Sequence, residues 1–132
     1  MSQETSTVLR EAEVFVVDYL DRNLADDYTF HNSSHTRQVV KAIREIGNGF
    51  DLTEHERELL ELAGWFHDTG YVKGKEEHEK SGCKLAQSFM SDYDYSESDV
   101  ERVHQLIMAT CMDASPNNLL GEIISDADLS HL

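Results

Sequence analysis

The first feature of this sequence that could do chemistry is its seven histidines in 132 residues. His35 and His67 lie near the apolar faces of two predicted helices, and Asp68 directly follows His67. A buried imidazole needs partners for both ring nitrogens, and a carboxylate is rarely buried unless it is paired or bound to a metal. Imidazole nitrogen and carboxylate oxygen suit Mn, Fe, Co, Ni and Zn. The pattern indicates a metal site, with a hydrogen-bonded core histidine as the alternative for each residue taken alone.

Six helical segments must position these residues. The sequence has a single proline and no long alternation of apolar and polar residues, so we predict an all-α fold. Thr53 and Glu56 have the spacing of a capping box, and Ser96 is placed to cap the fifth helix. Trp65, inside the third helix, is expected in the packed core. The predicted helices cover about residues 8–24, 33–46, 54–68, 77–90, 97–111 and 117–132.

The composition limits the partners of the chain. It carries 11 Lys and Arg against 26 Asp and Glu, a net charge of −15, and this excess disfavours binding to duplex nucleic acid. The apolar runs are too short to cross a bilayer and residues 1–13 lack the features of a secretory signal, so we expect a cytoplasmic protein without a membrane segment. In that reducing compartment Cys83 and Cys111 are expected to stay unpaired.

The length and the 39 % hydrophobic content predict a single domain over residues 1–132. We find no linker, internal repeat or low-complexity segment in the sequence. The sixth helix is predicted to continue to Leu132, so we expect the domain to be truncated at its C-terminal end.

Three segments together resemble a known family. They are YTFHNSSH at 28–35, GWFHDTG at 64–70 and DADL at 126–129. In order and spacing they are similar to the H…HD…D signature of the HD-domain metal-dependent phosphohydrolases. The resemblance implies a bundle of about six helices that binds one divalent ion, which could be Mn, Fe, Co, Ni, Zn or Mg. The implied ligands are His35, His67, Asp68 and Asp128.

The motif leaves two choices open, and the resemblance bears on both. Asp126 and Asp128 lie at similar angles to the apolar face of the last helix, and the family pattern favours Asp128 as the ligand. By resemblance to the cyclic-nucleotide phosphodiesterases, His35 binds the metal and His31 donates a proton to the leaving oxygen. A bond from His31 to a backbone carbonyl at the helix entry is an alternative of about equal weight.

Other residues near these motifs are candidates for the rest of the pocket. His78 begins a segment similar to the third histidine-bearing segment of two-metal HD proteins, so it is expected to line the pocket or to contact a second metal. The next histidine of that subgroup is missing, and His104 is expected in the core or at the pocket edge. Lys73 and Lys75 could bind a phosphate group, with a solvated loop as the favoured alternative. His55, in a first helical turn, is expected to be solvated.

The expected function is hydrolysis of a phosphoester by a metal-activated water, which Asp68 or Asp128 would orient. The expected partner is a small phosphorylated substrate: a nucleotide, a cyclic nucleotide or a small phosphate monoester. A homodimer is compatible with the sequence. Two alternatives come from other classes, a non-catalytic nucleotide-sensing module and a di-iron oxygenase of the HD fold. The presence of all four implied ligands argues against the first, and the missing histidine after His78 argues against the second.

Overall fold

The computed structural model describes residues 7–23, 33–70, 78–110 and 119–129. Within these ranges lie six α-helices and no β-strand, which confirms the predicted all-α fold. In the same ranges, no helix combines the length and the apolar character needed to cross a membrane. The helices are α1 (Thr7–Asn23), α2 (Ser33–Gly47), α3 (Glu54–Phe66), α4 (His78–Met90), α5 (Glu97–Met108) and α6 (Leu119–Leu129).

Reciprocal capping boxes open α3 and α5. At the start of α3 the Glu56 backbone N–H donates to Thr53 Oγ1 at 3.0 Å, and the Thr53 N–H donates to the Glu56 carboxylate at 2.9 Å. At the start of α5 the Asp99 N–H donates to Ser96 Oγ at 3.1 Å, and the Ser96 N–H donates to the Asp99 carboxylate at 3.2 Å. Both predicted N-termini are confirmed, because side chains satisfy backbone donors that have no partner inside the helix.

Two helices end slightly before their predicted last residues, and a threonine side chain binds a carbonyl in the last turn of each. α3 stops at Phe66, whose carbonyl accepts a hydrogen bond from Thr69 Oγ1 at 2.8 Å. α5 stops at Met108, and Thr110 Oγ1 donates to the carbonyl of Ile107 at 2.7 Å. Each threonine hydroxyl donates a hydrogen bond to a carbonyl in the last turn, where the helix has no further backbone N–H groups to serve as donors. The residues that follow Phe66 therefore leave the helix in a turn.

The central helix of the bundle is α3, which packs against all five other helices. A helix that is apolar on every side is typical of such a central position, because it has no face to turn toward water. Trp65 is only 2 % exposed, so its predicted place in the core is confirmed. The residues buried along its last two turns are Leu59, Leu60, Leu62, Ala63, Gly64, Trp65 and Phe66.

The amphipathic helices around α3 turn their apolar faces inward. The faces of α1 and α6 are buried throughout: Leu9, Ala12, Val16 and Leu20 in α1, and Leu120, Ile123, Ile124 and Ala127 in α6. α2 approaches α3 closely at Gly64, where an added Cβ would lie 2.5 Å from Ile43 Cδ1 and 3.3 Å from Val40 Cγ2. Glycine permits this approach because it has no side chain to be displaced. The contact sets α2, which carries His35, beside the C-terminal end of α3.

Candidate metal centre

His67 occupies the C-cap position of α3 and is completely buried. Its ring is held by a hydrogen bond from Nδ1 to the backbone carbonyl of Gly64 at 2.7 Å. A carbonyl oxygen only accepts, so Nδ1 carries a proton and Nε2 is the nitrogen that faces the neighbouring acidic side chains. A backbone partner on one ring nitrogen is the usual way in which a metal-binding histidine is oriented.

Three stretches of chain bring two imidazoles and two carboxylates together. His35 comes from the first turn of α2, Asp128 comes from the last turn of α6, and Asp68 follows His67 in the turn after α3. The Nε2 atom of His67 lies 3.4 Å from Asp68 Oδ2 and 3.2 Å from Asp128 Oδ1. The Nε2 atom of His35 lies 3.6 Å from each of the same two oxygens. Each carboxylate therefore contacts both imidazoles.

The spacing of these atoms fits a shared cation. The ligand atoms of His35, His67 and Asp128 all lie within 4.8 Å of one another, so this triad could hold a metal ion. Two atoms bound to one ion at about 2.1 Å would themselves be roughly 3.0–3.4 Å apart at ordinary coordination angles. The observed nitrogen-to-oxygen distances of 3.2–3.6 Å are close to that spacing. Asp68 Oδ2 lies at similar distances from the two imidazole Nε2 atoms as Asp128 Oδ1 does.

The charges of the centre favour a cation. Burial alone disfavours a charged imidazole, yet the charge of Asp68, together with Asp128, outweighs burial and raises the pKa of His67 to about 9. Burial likewise opposes ionisation of Asp128, but hydrogen bonds and charges from His35 and His67 hold the pKa of that carboxyl well below its usual range. Without a metal, a proton on His67 offsets part of the negative charge of the carboxylates. A divalent ion would replace that proton and offset the same charge.

A protein-family model covers most of the chain. The family model of the HD domain matches residues 32–131. The chain belongs to the HD-domain family. No curated protein and no solved structure matches it significantly. The four converging residues all lie inside the HD-domain match, whereas His31 precedes it by one residue.

The centre of this HD domain reaches solvent along α6. The side chains of His35, His67 and Asp68 are nearly inaccessible, whereas the side chain of Asp128 is 21 % exposed. Asp126, the other aspartate that the periodicity left open, is exposed and is not part of the triad. Asp128 is therefore the most exposed of the four converging residues.

Several predicted pocket residues fall outside the described part of the HD domain. These are the whole of His31, Lys73 and Lys75, and the side chain of His78. His104 is partly buried, and its Nε2 atom has no hydrogen-bond partner among the residues that the structure describes.

The expectation that His55 is merely solvated is incomplete. Its side chain is 55 % exposed, yet Nε2 lies 2.8 Å from Asp99 Oδ1 on α5. These two residues are 44 positions apart in the sequence, and no local pattern indicates the pair.

Proposed function

We propose that this HD domain is a metal-dependent phosphohydrolase. The observation that carries the proposal is the convergence of two imidazoles and two carboxylates, in which the Nε2 atoms of His35 and His67 lie 3.2–3.6 Å from oxygens of Asp68 and Asp128. HD domains bind divalent metals, and the mixed imidazole and carboxylate donors here suit Mn, Fe, Co, Ni or Zn, whereas Mg would be held through the carboxylates. The proposed metal ligands are His35, His67, Asp68 and Asp128.

The residues of the centre are proposed to have different roles in hydrolysis. A divalent ion bound here would lower the pKa of a water molecule and polarise a phosphoryl oxygen. Asp68 is proposed to orient the attacking water, because its carboxylate lies within 3.6 Å of the Nε2 atoms of both His35 and His67. The burial of both imidazoles keeps bulk water away from the donor atoms and so strengthens their electrostatic effect.

Two further roles rest on the family resemblance and the sequence. His31 is proposed to protonate the leaving oxygen, and Lys73 and Lys75 are proposed to bind the phosphate group of the substrate. The proposed substrate is small and phosphorylated: a nucleotide, a cyclic nucleotide or a phosphate monoester. The net charge of −15 supports this choice over duplex nucleic acid.

The test pairs two neighbouring aspartates of α6. The protein and its Asp128→Asn and Asp126→Asn variants are stripped of metal, reloaded with each candidate ion, and assayed for bound metal and for hydrolysis of nucleotides, cyclic nucleotides and nitrophenyl phosphates. Asp128→Asn should bind metal more weakly and lose hydrolysis, since a ligand is replaced by a neutral amide. Asp126→Asn should behave like the unmodified protein, because Asp126 is exposed and outside the triad.

Three results would contradict the proposal. The first is a protein that binds metal but hydrolyses none of these substrates, which would favour a nucleotide-sensing module. The second is a protein that takes up iron and consumes dioxygen, which would favour an oxygenase. The third is equal loss of metal binding in the two aspartate variants, which would place the site elsewhere on α6.

A further inference from the structure

Helix α4 lies directly against the turn that carries His67 and Asp68. The contact is closest at Gly82, where an added Cβ would lie 2.8 Å from the carbonyl oxygen of Phe66. The same Cβ would lie 3.5 Å from Thr69 Oγ1 and 3.7 Å from the carbonyl oxygen of His67. Cβ atoms essentially never come within 3.0 Å of a backbone oxygen, so a side chain at this position requires a displacement.

The displaced group would be the backbone itself. The Phe66 carbonyl is already held by Thr69 Oγ1 at 2.8 Å, and the ring of Phe66 packs against Phe89 of α4 with a centroid distance of 5.3 Å. A flexible side chain could rotate out of the way, but a carbonyl in a hydrogen-bonded turn moves only with its peptide unit. That peptide unit joins Phe66 to His67, so any adjustment reaches the imidazole directly.

Helix propensity does not explain a glycine here. Gly82 lies inside α4, four residues after its first residue, and alanine is the better residue in a helix interior. The close approach to Phe66 is the structural reason for its presence. We propose that Gly82 is a positioning residue of the metal centre. Because Gly82 has no side chain, α4 can pack closely against the turn after Phe66. This packing holds His67 and Asp68 in contact with His35 and Asp128. This inference rests on the proposed function, because the ligand set is the one proposed there.

The required displacement is large for a metal site. Restoring ordinary contact at Gly82 would move α4 and the turn apart by about 0.6 Å, whereas functional constellations tolerate roughly 0.5 Å and metal–ligand distances about 0.2 Å. Residues that orient ligands without touching the metal typically change metal affinity by about 10–100-fold when they are replaced. A substitution at Gly82 should therefore weaken metal binding by about that factor.

The experiment compares Gly82→Ala with Val103→Ala, a change at a fully buried position of α5 that contributes no atom to the proposed site. Affinity for Co²⁺ is measured by titration, the coordination geometry is followed by the visible absorption of the bound ion, and folding is followed by far-ultraviolet circular dichroism and melting temperature. Gly82→Ala should keep its helical spectrum, bind Co²⁺ at least about 10-fold more weakly and show an altered absorption band. Val103→Ala should melt at a lower temperature yet bind Co²⁺ as the unmodified protein does.

Each other outcome is decisive as well. Unchanged Co²⁺ affinity in Gly82→Ala would overturn the inference, and so would an equal loss in Val103→Ala, because general destabilisation would then explain both. A Gly82→Ala protein without a helical spectrum would overturn it too, since Gly82 would then be required for the whole fold. If the unmodified protein binds Co²⁺ but hydrolyses no phosphoester, the proposed function fails and the role of Gly82 is still judged on the titration. If the unmodified protein binds neither Co²⁺ nor any other candidate ion, both proposals fail.

Discussion

The His67 imidazole is held on both sides, by the Gly64 carbonyl at Nδ1 and by the carboxylates of Asp68 and Asp128 at Nε2. Together these acidic groups raise its pKa from an ordinary 6.5 to about 9 despite complete burial. The protonated imidazole therefore stabilises the metal-free fold. That stabilisation is fully present below pH 6.5 and is lost as the pH rises through about 9.

A proton on His67 and a metal ion compete for the same nitrogen. Binding of a divalent ion at pH 7 should release about one proton, and the affinity should rise with pH until His67 is deprotonated near pH 9. Calorimetric titration in two buffers with different ionisation enthalpies measures the proton release. A binding enthalpy that is the same in both buffers would contradict the prediction.

His31 and His35, which are close together in the sequence, are predicted to have different roles. His35→Ala should lose metal and activity together, because it removes an imidazole that contacts both carboxylates. His31→Ala should keep the metal and lose about 10²–10⁴-fold in turnover, as expected for a general acid. The loss in His31→Ala should be smaller on nitrophenyl esters, whose leaving group departs as a stable anion. Measurements of bound metal and turnover decide the matter, and loss of metal in His31→Ala with retention in His35→Ala would reverse the roles.

At the scale of elements, α3 and α5 are braced at their N-terminal ends. The carboxylate of each capping box also binds a basic side chain of the other helix: His55 of α3 contacts Asp99, and Arg102 of α5 lies 3.6 Å from Glu56. Slight burial disfavours ionisation of Asp99, but the bonds to His55 and Ser96 outweigh it and lower the pKa of Asp99 below 3.8. The contribution of Asp99 is therefore present at neutral pH and is lost as the pH falls through this lowered pKa.

A double-mutant cycle on His55 and Asp99 tests the brace. His55→Ala should cost little, and the coupling energy between the two residues should be about 0.2–1 kcal/mol, because the imidazole is largely exposed. Asp99→Ala should cost more, about 1 kcal/mol beyond the pair, since it also removes the cap shared with Ser96. Urea unfolding of the four proteins gives these values, and strictly additive single changes would show that the pair contributes nothing.

The whole molecule carries a net charge of −15 on 132 residues. Repulsion among like charges destabilises a compact state, and salt screens that repulsion between exposed charges. The metal-free protein should therefore melt at a higher temperature in about 0.5 M sodium chloride than in about 0.05 M, by several degrees for each kcal/mol of repulsion screened. Thermal unfolding in the presence of a chelator checks this, and an unchanged or lower melting temperature would contradict it.

The sequence by itself determined the structural features that depend on residues close together in the chain. The starts of α3 and α5 could be predicted to the residue, because each capping box is closed by side chains three positions apart. The inward faces of α1 and α6 follow from a period of 3.6 residues. The candidate ligands could be named from the residue types and order of the HD-domain motif. The end of α5 was less predictable, since the apolar pattern runs on to Cys111 while the helix ends at Met108, where Thr110 Oγ1 donates to the carbonyl of Ile107.

Only the tertiary structure decided how distant helices meet. His67 contacts Asp128 across 61 residues of sequence, which separates Asp128 from the equally periodic Asp126. No local sequence pattern predicts the hydrogen bond between His55 and Asp99. The same is true of the close approach of Gly82 to the carbonyl of Phe66. Local patterns show which face of a helix is apolar, but the depth and angle at which two faces pack depend on every side chain between them. For that reason the residue types of the centre could be identified from the sequence, whereas the distances between them could not be predicted from it.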